Sequence, residues 1–315
     1  MAWPLRMYEA SKIYFVTARC FQGRLLMRPS GETNEVLGGV LARAARLSGV
    51  EVFAFVFASN HLHLLVRAPD ENLPRFMQFL LANISRKVGW LVGWRGAFWE
   101  RRYSAEPVLD DEALFGRVRY ILAHGVKEGL VRRCRDWPGL NCLRQMVGSH
   151  RRQFRWFDWT RRWRARARRE AKDRMNERWA DSETLTLTPL PPWGEKTESA
   201  RRRHILRAVA AIESEGAISF GRVLGRSRLL TQDPQARPER PARSPRPRCH
   251  TSRRELGLAF AEGYRAFTSV FLRASEKWRR GVLSVSFPSG AFRPFLWPSV
   301  GTGPLRAPAL ASAGT

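Results

Sequence analysis

The order of strand and helix patterns along the first 124 residues is the feature that most limits how this chain can fold. Runs of β-branched and aromatic residues predict strands at 13–18, 50–57, 61–67 and 98–108. Apolar residues at helical spacing predict helices at 34–47, 73–91 and 110–124. The first six elements are those of a split βαβ unit, which is an antiparallel sheet with helices on one face. We therefore expect an α+β, ferredoxin-like domain within residues 1–150.

Charge divides the chain at about residue 150. The chain carries 55 Lys and Arg against 28 Asp and Glu, and most of its net charge of +27 lies after that point. A surface this basic attracts polyanions, and the excess of Arg over Lys favours nucleic acid because guanidinium groups bind phosphate oxygens in pairs. A high-GC genome would also enrich Arg, so the Arg bias by itself has two explanations.

The sequence after residue 150 predicts three further segments. Residues 151–180 interleave Trp with Arg and predict a basic helix. Residues 181–255 contain Pro-rich stretches and predict a disordered linker. Residues 256–315 predict a small C-terminal extension, with a helix at 256–278 and a short strand at 282–287. The compact first domain is thus expected to carry a basic, partly disordered extension.

Membrane and disulfide classes are disfavoured. The chain has no run of 18 apolar residues, which is the length that crosses a bilayer, and its first residues lack the apolar stretch of a signal peptide. The four cysteines show no CxxC spacing, so a disulfide framework or a cysteine-rich zinc site is not expected. These features predict a cytoplasmic protein that does not associate with membranes.

Two histidines on the third predicted strand form the first candidate site. Side chains alternate faces along a strand, so His61 and His63 lie side by side while Leu62 points to the opposite face. Two adjacent imidazoles make half of a metal site. Two histidines at this spacing also arise by chance, so the motif depends on its context.

The last predicted helix carries the second candidate site. Asp110 and Asp111 predict its start, and Gly125 predicts its end. Its apolar stripe contains Leu114, Phe115, Val118, Ile121 and Leu122. Away from that stripe lie three residues that share a face: Arg117, Tyr120 and His124.

A tyrosine outside the apolar stripe, next to His and Arg, is a candidate reactive group. The alternative for Tyr120 is an ordinary surface tyrosine. Tyr103 is a second possible nucleophile, although a residue packed in the sheet is the simpler reading of that position.

The segment at 151–180 has two interpretations that can hold together. Its arginines can bind phosphates while its tryptophans stack on bases. Alternatively, the tryptophans dock on the first domain and the arginines face water. The nucleic-acid interpretation assigns binding to Arg117 and to seven residues of the segment: Arg151, Arg152, Arg155, Trp156, Trp159, Arg161 and Arg162.

Three segments together resemble the single-tyrosine HUH transposases, especially the REP-associated tyrosine transposases. They are FVFASNHLHLLV at 55–66, FWERRY at 98–103 and VRYILAHGVKEGLV at 118–131. They occur in the order and spacing of that family and cover roughly residues 8–145. Two positions depart from its pattern. Ala58-Ser59-Asn60-His61 stands where relatives have Met-Pro-Asn-His, and His124 stands where they have Asn or Gln.

The resemblance implies a fold and an activity. It implies an HUH nuclease domain in which His61, His63 and His124 bind Mg²⁺ or Mn²⁺ and Tyr120 attacks single-stranded DNA. Cleavage then leaves a 5′-phosphotyrosine link that can be rejoined, near hairpin sequences. The resemblance also implies a homodimer, with a monomer as the other possibility.

A different class of function stays open beside the transposase. The chain could be a domesticated, non-catalytic protein that binds DNA or RNA and keeps the fold and the charge. The intact His61, His63 and Tyr120 favour the enzyme, and the changed position His124 favours the binding protein.

Overall fold

The computed structural model describes residues 5–164, 177–238 and 247–294. The chain divides into two units, Glu9–Ala261 and Met1–Tyr8 with Glu262–Thr315. Residues 239–246 of the predicted disordered linker and residues 295–315 of the predicted C-terminal extension lie outside the described residues. Among the residues that are described, no helix combines the length and apolar character needed to cross a membrane.

A four-stranded antiparallel sheet forms the centre of the larger unit. Its strands are β1 (Ile13–Arg19), β2 (Glu51–Phe57), β3 (His61–Arg67) and β4 (Ser104–Val108). They are ordered β2-β3-β1-β4, and every neighbouring pair is antiparallel. This order confirms the predicted α+β, ferredoxin-like fold class. It also places β3 inside the sheet, between β2 and β1.

Two helices connect the strands of the sheet. α1 (Gly31–Ser48) begins where the Ser30 side chain accepts a hydrogen bond from the Thr33 amide, and it ends at Gly49. Gly49 has a φ of 64°, which is a left-handed conformation that glycine adopts without strain. α2 (Leu73–Leu91) packs against α1. The core of this unit includes the fully buried side chains of Phe53, Phe55, Phe57, Leu62, Leu64 and Phe76.

The fourth strand is shorter than the sequence pattern predicts. The predicted strand at 98–108 is wrong for residues 98–103, because only Ser104–Val108 pairs with β1 as a ladder. Residues 98–100 still lie beside the end of β1 and the turn after it. Phe21 donates its amide to the Phe98 carbonyl, and Glu100 donates its amide to the Arg19 carbonyl. The backbone therefore pairs at 98–100, leaves the sheet and rejoins it as β4.

The helix α3 (Asp111–Lys127) follows the sheet. The Asp110 side chain accepts a hydrogen bond from the Ala113 amide at its start, as predicted. The predicted end at Gly125 is wrong, because the helix continues to Lys127. Gly125 instead allows a close approach. A Cβ there would lie 2.9 Å from the Val131 side chain and 3.1 Å from the Trp137 ring.

A two-stranded ribbon covers α1. It consists of β5 (Arg151–Phe157) and β6 (Ala180–Thr186), which are antiparallel. The predicted basic helix at 151–180 is therefore wrong for residues 151–157, and only the short α5 (Trp159–Arg164) is helical before residues 165–176, which are not described. Gly38 and Gly39 allow β5 to pack closely on α1, because a Cβ on either would overlap Phe154 or the Arg155 carbonyl.

The remaining elements correct the predicted linker. α4 (Leu143–Val147) precedes the ribbon, and α6 (Glu198–Ser219), α7 (Arg226–Thr231) and the start of α8 (Arg254–Arg279) follow it. The predicted disordered linker at 181–255 is thus wrong for most of its described length. α6 packs on α3, with Ile205 and Ile212 buried. The Pro-rich stretches of this segment predicted disorder and gave no indication that Ile205 and Ile212 are buried.

The smaller unit is built around the second part of α8. In this unit, the Tyr264 hydroxyl donates to the Leu5 carbonyl, and the Tyr8 amide donates to the Gly290 carbonyl. The rings of Tyr8 and Phe292 meet edge to face, with centroids 5.7 Å apart. The predicted strand at 282–287 is wrong, because residues 283–284 form a turn and the other four have no regular structure.

Candidate metal and nucleophile site

The strand β3 presents two imidazoles on one face of the sheet. His63 lies opposite Thr17 of β1, and His61 lies opposite Arg19. Leu62 points to the other face, where it is fully buried. The ring centroids of His61 and His63 are 4.8 Å apart. Strand alternation thus produces the predicted pair, and the interior position of β3 holds it on both sides.

Helix α3 brings a third imidazole to the same point. The His124 Nε2 lies 2.7 Å from the His61 Nε2, and the ring centroids of His124 and His63 are 5.6 Å apart. The three ligand nitrogens lie within 4.8 Å of one another. Among the described residues, this is the one group of three or more His, Cys, Asp or Glu residues that could hold a metal ion.

Neighbouring polar groups orient two of the rings. The His61 Nδ1 lies 2.6 Å from the Asn60 Oδ1, and the His63 Nδ1 lies 2.9 Å from the Thr17 Oγ1. A hydrogen bond at Nδ1 fixes the ring and leaves Nε2 available as a ligand. The His63 Nε2 is buried and has no hydrogen-bond partner among the described residues. A buried ring nitrogen that points into a cluster of its own kind fits a bound metal ion.

The histidines are held in the neutral form that binds metals. Burial is the main cause that lowers the pKa of His61 and His63 well below 6.5, and nearby cationic groups add to it. Burial likewise lowers the pKa of His124 to about 4, and Lys127 contributes. Imidazoles with these values stay uncharged at neutral pH, so protons do not compete with a metal ion there.

Tyr120 lies against the histidine cluster. Its ring meets that of His63 edge to face at 5.2 Å between centroids, and that of Phe15 at 5.8 Å. The predicted face of α3 therefore turns toward the sheet: His124 is only 3% exposed, while Arg117 and Tyr120 stay partly exposed. Tyr103 is buried and lies in the irregular segment before β4.

Two cations flank the Tyr120 ring. The guanidinium carbon of Arg117 lies 5.2 Å from the ring centroid, and the Lys127 Nζ lies 4.1 Å from it. Lys127 also pairs with Glu128 at 2.6 Å. The sequence analysis identified Arg117 but missed Lys127. The signal that could have identified Lys127 is its spacing of seven residues from Tyr120, which is two helical turns and places both residues on one face of α3.

A partly buried acid and a histidine also lie beside the site, and neither was predicted from the sequence. His250 falls in the segment 181–255, which was predicted to be a disordered linker. The segment around it pairs with β4, since the His250 amide donates to the Pro107 carbonyl. The His250 ring meets Phe15 at 5.3 Å, and its Nε2 lies 4.0 Å from a Glu106 oxygen. Burial raises the pKa of Glu106 to about 7 and lowers that of His250 to about 4.

Trp156 of the ribbon is a packing residue. It is only 8% exposed and stacks on Phe79 at 5.7 Å. The Lys87 Nζ lies 4.3 Å from its ring and donates to the Phe157 carbonyl, while the Arg43 guanidinium lies 4.9 Å away. The prediction that this tryptophan stacks on bases is therefore wrong, because its ring is already covered by α1 and α2.

The other residues predicted to bind nucleic acid in this segment lie on β5 and α5. Arg155 pairs with Glu35 and Glu177, and Arg161 pairs with Asp181. Trp159 is partly exposed and meets Trp90 at 5.8 Å. The remaining three predicted arginines are the exposed Arg151 and the partly exposed Arg152 and Arg162.

Comparisons with known proteins find similarity over the N-terminal domain. Residues 26–123 match the family model described as "Transposase IS200 like". For that segment, the match confirms the resemblance to single-tyrosine transposases and the expectation of a transposase enzyme. The match includes His61, His63 and Tyr120 and ends one residue before His124. No curated protein matches the chain.

Two solved structures are similar to part of the chain. One is the structure of a REP-associated tyrosine transposase bound to a REP hairpin, with 19% identity, coverage of 47% of this chain and 86% of that chain, and a TM-score of 0.41. The other is the crystal structure of a candidate transposase from Deinococcus radiodurans, with 20% identity, coverage of 38% and 93%, and a TM-score of 0.27.

Proposed function

We propose that this protein is a metal-dependent nuclease of single-stranded DNA that cuts and rejoins strands through Tyr120. The observation that carries the proposal is the convergence of three imidazoles beside a tyrosine ring. His61 and His63 come from β3, and His124 comes from α3, so residues 63 positions apart meet at 2.7 Å. Tyr120 lies one helical turn from His124 and contacts His63.

His61, His63 and His124 would hold a divalent ion, and that ion would supply a Lewis acid that polarises the scissile phosphate. The Tyr120 oxygen attacks phosphorus. The new bond joins the phenol oxygen to the 5′ phosphate, the bond from phosphorus to the 3′ oxygen breaks, and the phenol proton is lost while the 3′ oxygen gains one. Arg117 and Lys127 place positive charge where the phosphate must approach.

The covalent intermediate accounts for rejoining without an energy source. A 3′-hydroxyl that attacks the phosphotyrosine reverses the first step, because one phosphodiester replaces another. The DNA partner in this proposal is a single strand next to a hairpin. The protein binds it as a homodimer. The support for that partner is the resemblance to REP-associated tyrosine transposases, together with the net charge of +27.

The rival function is a non-catalytic nucleic-acid-binding protein. Such a protein needs the basic surface but has no use for three converging imidazoles. His124 was the residue that favoured this rival. Its Nε2 points at His61 and its ring is buried, so the histidine completes a donor set, and this supports the enzyme.

A cleavage assay tests the proposal. The full chain is incubated with end-labelled single-stranded DNA that carries the palindromes flanking its own gene, with Mg²⁺ or Mn²⁺, and the products are separated on a denaturing gel. We expect cleaved strands and a protein–DNA adduct, both abolished by EDTA. Binding without cleavage under either metal would support the rival, and full cleavage in saturating EDTA would overturn the metal requirement.

A further inference from the structure

The donor set of the metal site consists of nitrogen alone. Three imidazoles converge, and among the described residues no Asp, Glu or Cys belongs to the cluster. Glu128 is the first carboxylate after His124 in the chain, and it accepts a hydrogen bond from Lys127 at 2.6 Å. The remaining polar neighbours, Asn60 and Thr17, contact the Nδ1 atoms and not the converging face.

Donor chemistry separates the divalent ions. Mg²⁺ is a hard ion that takes oxygen ligands, keeps several waters and is bound through carboxylates. Imidazole nitrogen suits zinc, nickel, copper and iron, and affinity rises along the first-row series from Mn²⁺ toward Cu²⁺. A site with three neutral nitrogens and no carboxylate therefore gives Mg²⁺ little to bind.

The charges around the cluster also favour a transition ion over Mg²⁺. The imidazoles are neutral ligands, and the cations of Arg117 and Lys127 lie 5.2 Å and 4.1 Å from the centroid of the Tyr120 ring. No described carboxylate in the donor set offsets the charge of an incoming ion. Affinity must then come from the nitrogen–metal bonds themselves, which are strong for transition ions and weak for Mg²⁺.

We propose that this site selects a transition ion of the zinc and cobalt class over Mg²⁺, and that His124 is the residue that sets the preference. The proposal rests on the proposed function for the role of the ion, and it departs from the Mg²⁺ or Mn²⁺ that the resemblance implies. Mn²⁺ is expected to bind between Mg²⁺ and the zinc class. Three protein ligands leave positions at which phosphate oxygens can coordinate.

Metal titration of the metal-free full chain, without an affinity tag, tests the selectivity. Isothermal titration calorimetry with Zn²⁺, Co²⁺, Mn²⁺ and Mg²⁺ gives the dissociation constants. Visible absorption of the Co²⁺ complex reports nitrogen coordination directly. We expect Zn²⁺ and Co²⁺ to bind at least about 100-fold more tightly than Mg²⁺. Equal affinities for Zn²⁺ and Mg²⁺ would overturn the proposal, as would a Co²⁺ spectrum unchanged from that of the free aqueous ion.

The variant His124→Gln tests the residue. It replaces an imidazole nitrogen with an amide oxygen, so affinity for Zn²⁺ and Co²⁺ should fall by about tenfold or more while that for Mg²⁺ does not fall. His204→Gln is the matched control, because His204 is exposed on α6 and lies outside the cluster. Unchanged Zn²⁺ affinity in a folded His124→Gln protein, checked by circular dichroism, would overturn the role of His124.

The two proposals fail in different ways. If Zn²⁺ binds tightly but no metal supports cleavage or an adduct, the nuclease is wrong and the selectivity stands. If cleavage occurs while Mg²⁺ binds as tightly as Zn²⁺, the nuclease stands and the selectivity is wrong. Wild-type binding constants decide the selectivity even if His124→Gln fails to fold.

Discussion

The histidine face of the sheet and the β5–β6 ribbon were both predicted to be functional from clustered residue types, and they differ in where those side chains point. On the histidine face, three ring nitrogens from two elements converge within 4.8 Å. In the ribbon, Trp156 is covered by its neighbours and Arg155 is paired with acids, and Arg161 of the adjoining α5 is paired with an acid as well. Convergence on one point distinguishes a candidate site from packing, and residue type alone does not.

Removing a ligand should give the largest effect and tests the first half of this comparison. His63→Ala deletes one of the three imidazoles, so we expect cleavage of single-stranded DNA to fall at least about 100-fold. Initial cleavage rates measure this, with circular dichroism to check the fold. His150→Ala is the control, because His150 is exposed and outside the cluster. Equal activity in both variants would contradict a catalytic role for the histidine face.

The ribbon should respond through stability. Trp156→Ala removes a ring that is only 8% exposed, and we expect the free energy of unfolding to fall by about 3–5 kcal/mol. Trp163→Ala is the matched variant, because Trp163 is 67% exposed and its loss should cost less than about 0.5 kcal/mol. Urea unfolding measures both. Similar small losses would mean that Trp156 is a surface residue after all.

Two glutamates, one in each region, sharpen the comparison through the pH dependence of stability. Burial raises the pKa of Glu106 from 4.5 to about 7, against the opposing effects of Ser104 and Arg117, with His250 4.0 Å away. Glu106 keeps its proton in the folded state while the unfolded state loses it. The contribution of Glu106 to the free energy of unfolding is thus present below pH 4.5 and lost as the pH rises through 7. That loss is at most about 3 kcal/mol.

Glu183 of the ribbon should behave in the opposite way. Hydrogen bonds from Arg46, together with Arg43, lower its pKa below 4.5, so its contribution is present above that value and lost on acidification. We expect Glu106→Gln to flatten the stability curve between pH 4.5 and 7, and Glu183→Gln to flatten it below 4.5. Urea midpoints across pH measure both, and identical profiles would contradict the assignment.

The smallest expected effect concerns the ribbon arginines. Arg151→Gln removes an exposed charge, and if that charge binds a phosphate, the slope of log affinity against log salt should fall by about 0.7 for single-stranded DNA. Arg161→Gln is the control, because Arg161 already pairs with Asp181 at 2.8 Å. Fluorescence anisotropy over a salt series measures the slopes. An unchanged slope for Arg151→Gln would remove this residue from the DNA surface.

Local periodicity was sufficient to predict much of the site. A period of two places His61 and His63 on one face of a strand, and a period of 3.6 places Tyr120 with His124 on one face of a helix. The sheet order follows from the sequence of elements. Both predictions need only short-range geometry, which the chain carries within a few residues.

Long-range packing could not be predicted in the same way. The ribbon fits α1 because Gly38 and Gly39 lack a Cβ where Phe154 and Arg155 approach, and residues more than a hundred positions apart carry that signal. His250 reaches the site through a backbone pairing with β4, in a segment whose composition predicted a linker. Composition describes the average of a segment and does not identify the few positions that dock.

The central claim is that Tyr120 is the nucleophile, and covalent capture of DNA tests it most directly. The full chain, Tyr120→Phe and Tyr103→Phe are each incubated with 5′- or 3′-labelled hairpin-flanked single-stranded DNA and a divalent metal, then separated on a denaturing gel. Each substitution removes one oxygen and almost no volume, so packing is preserved. We expect an adduct through the 5′ phosphate in the wild type and in Tyr103→Phe, and none in Tyr120→Phe. An adduct that persists in Tyr120→Phe would contradict the account.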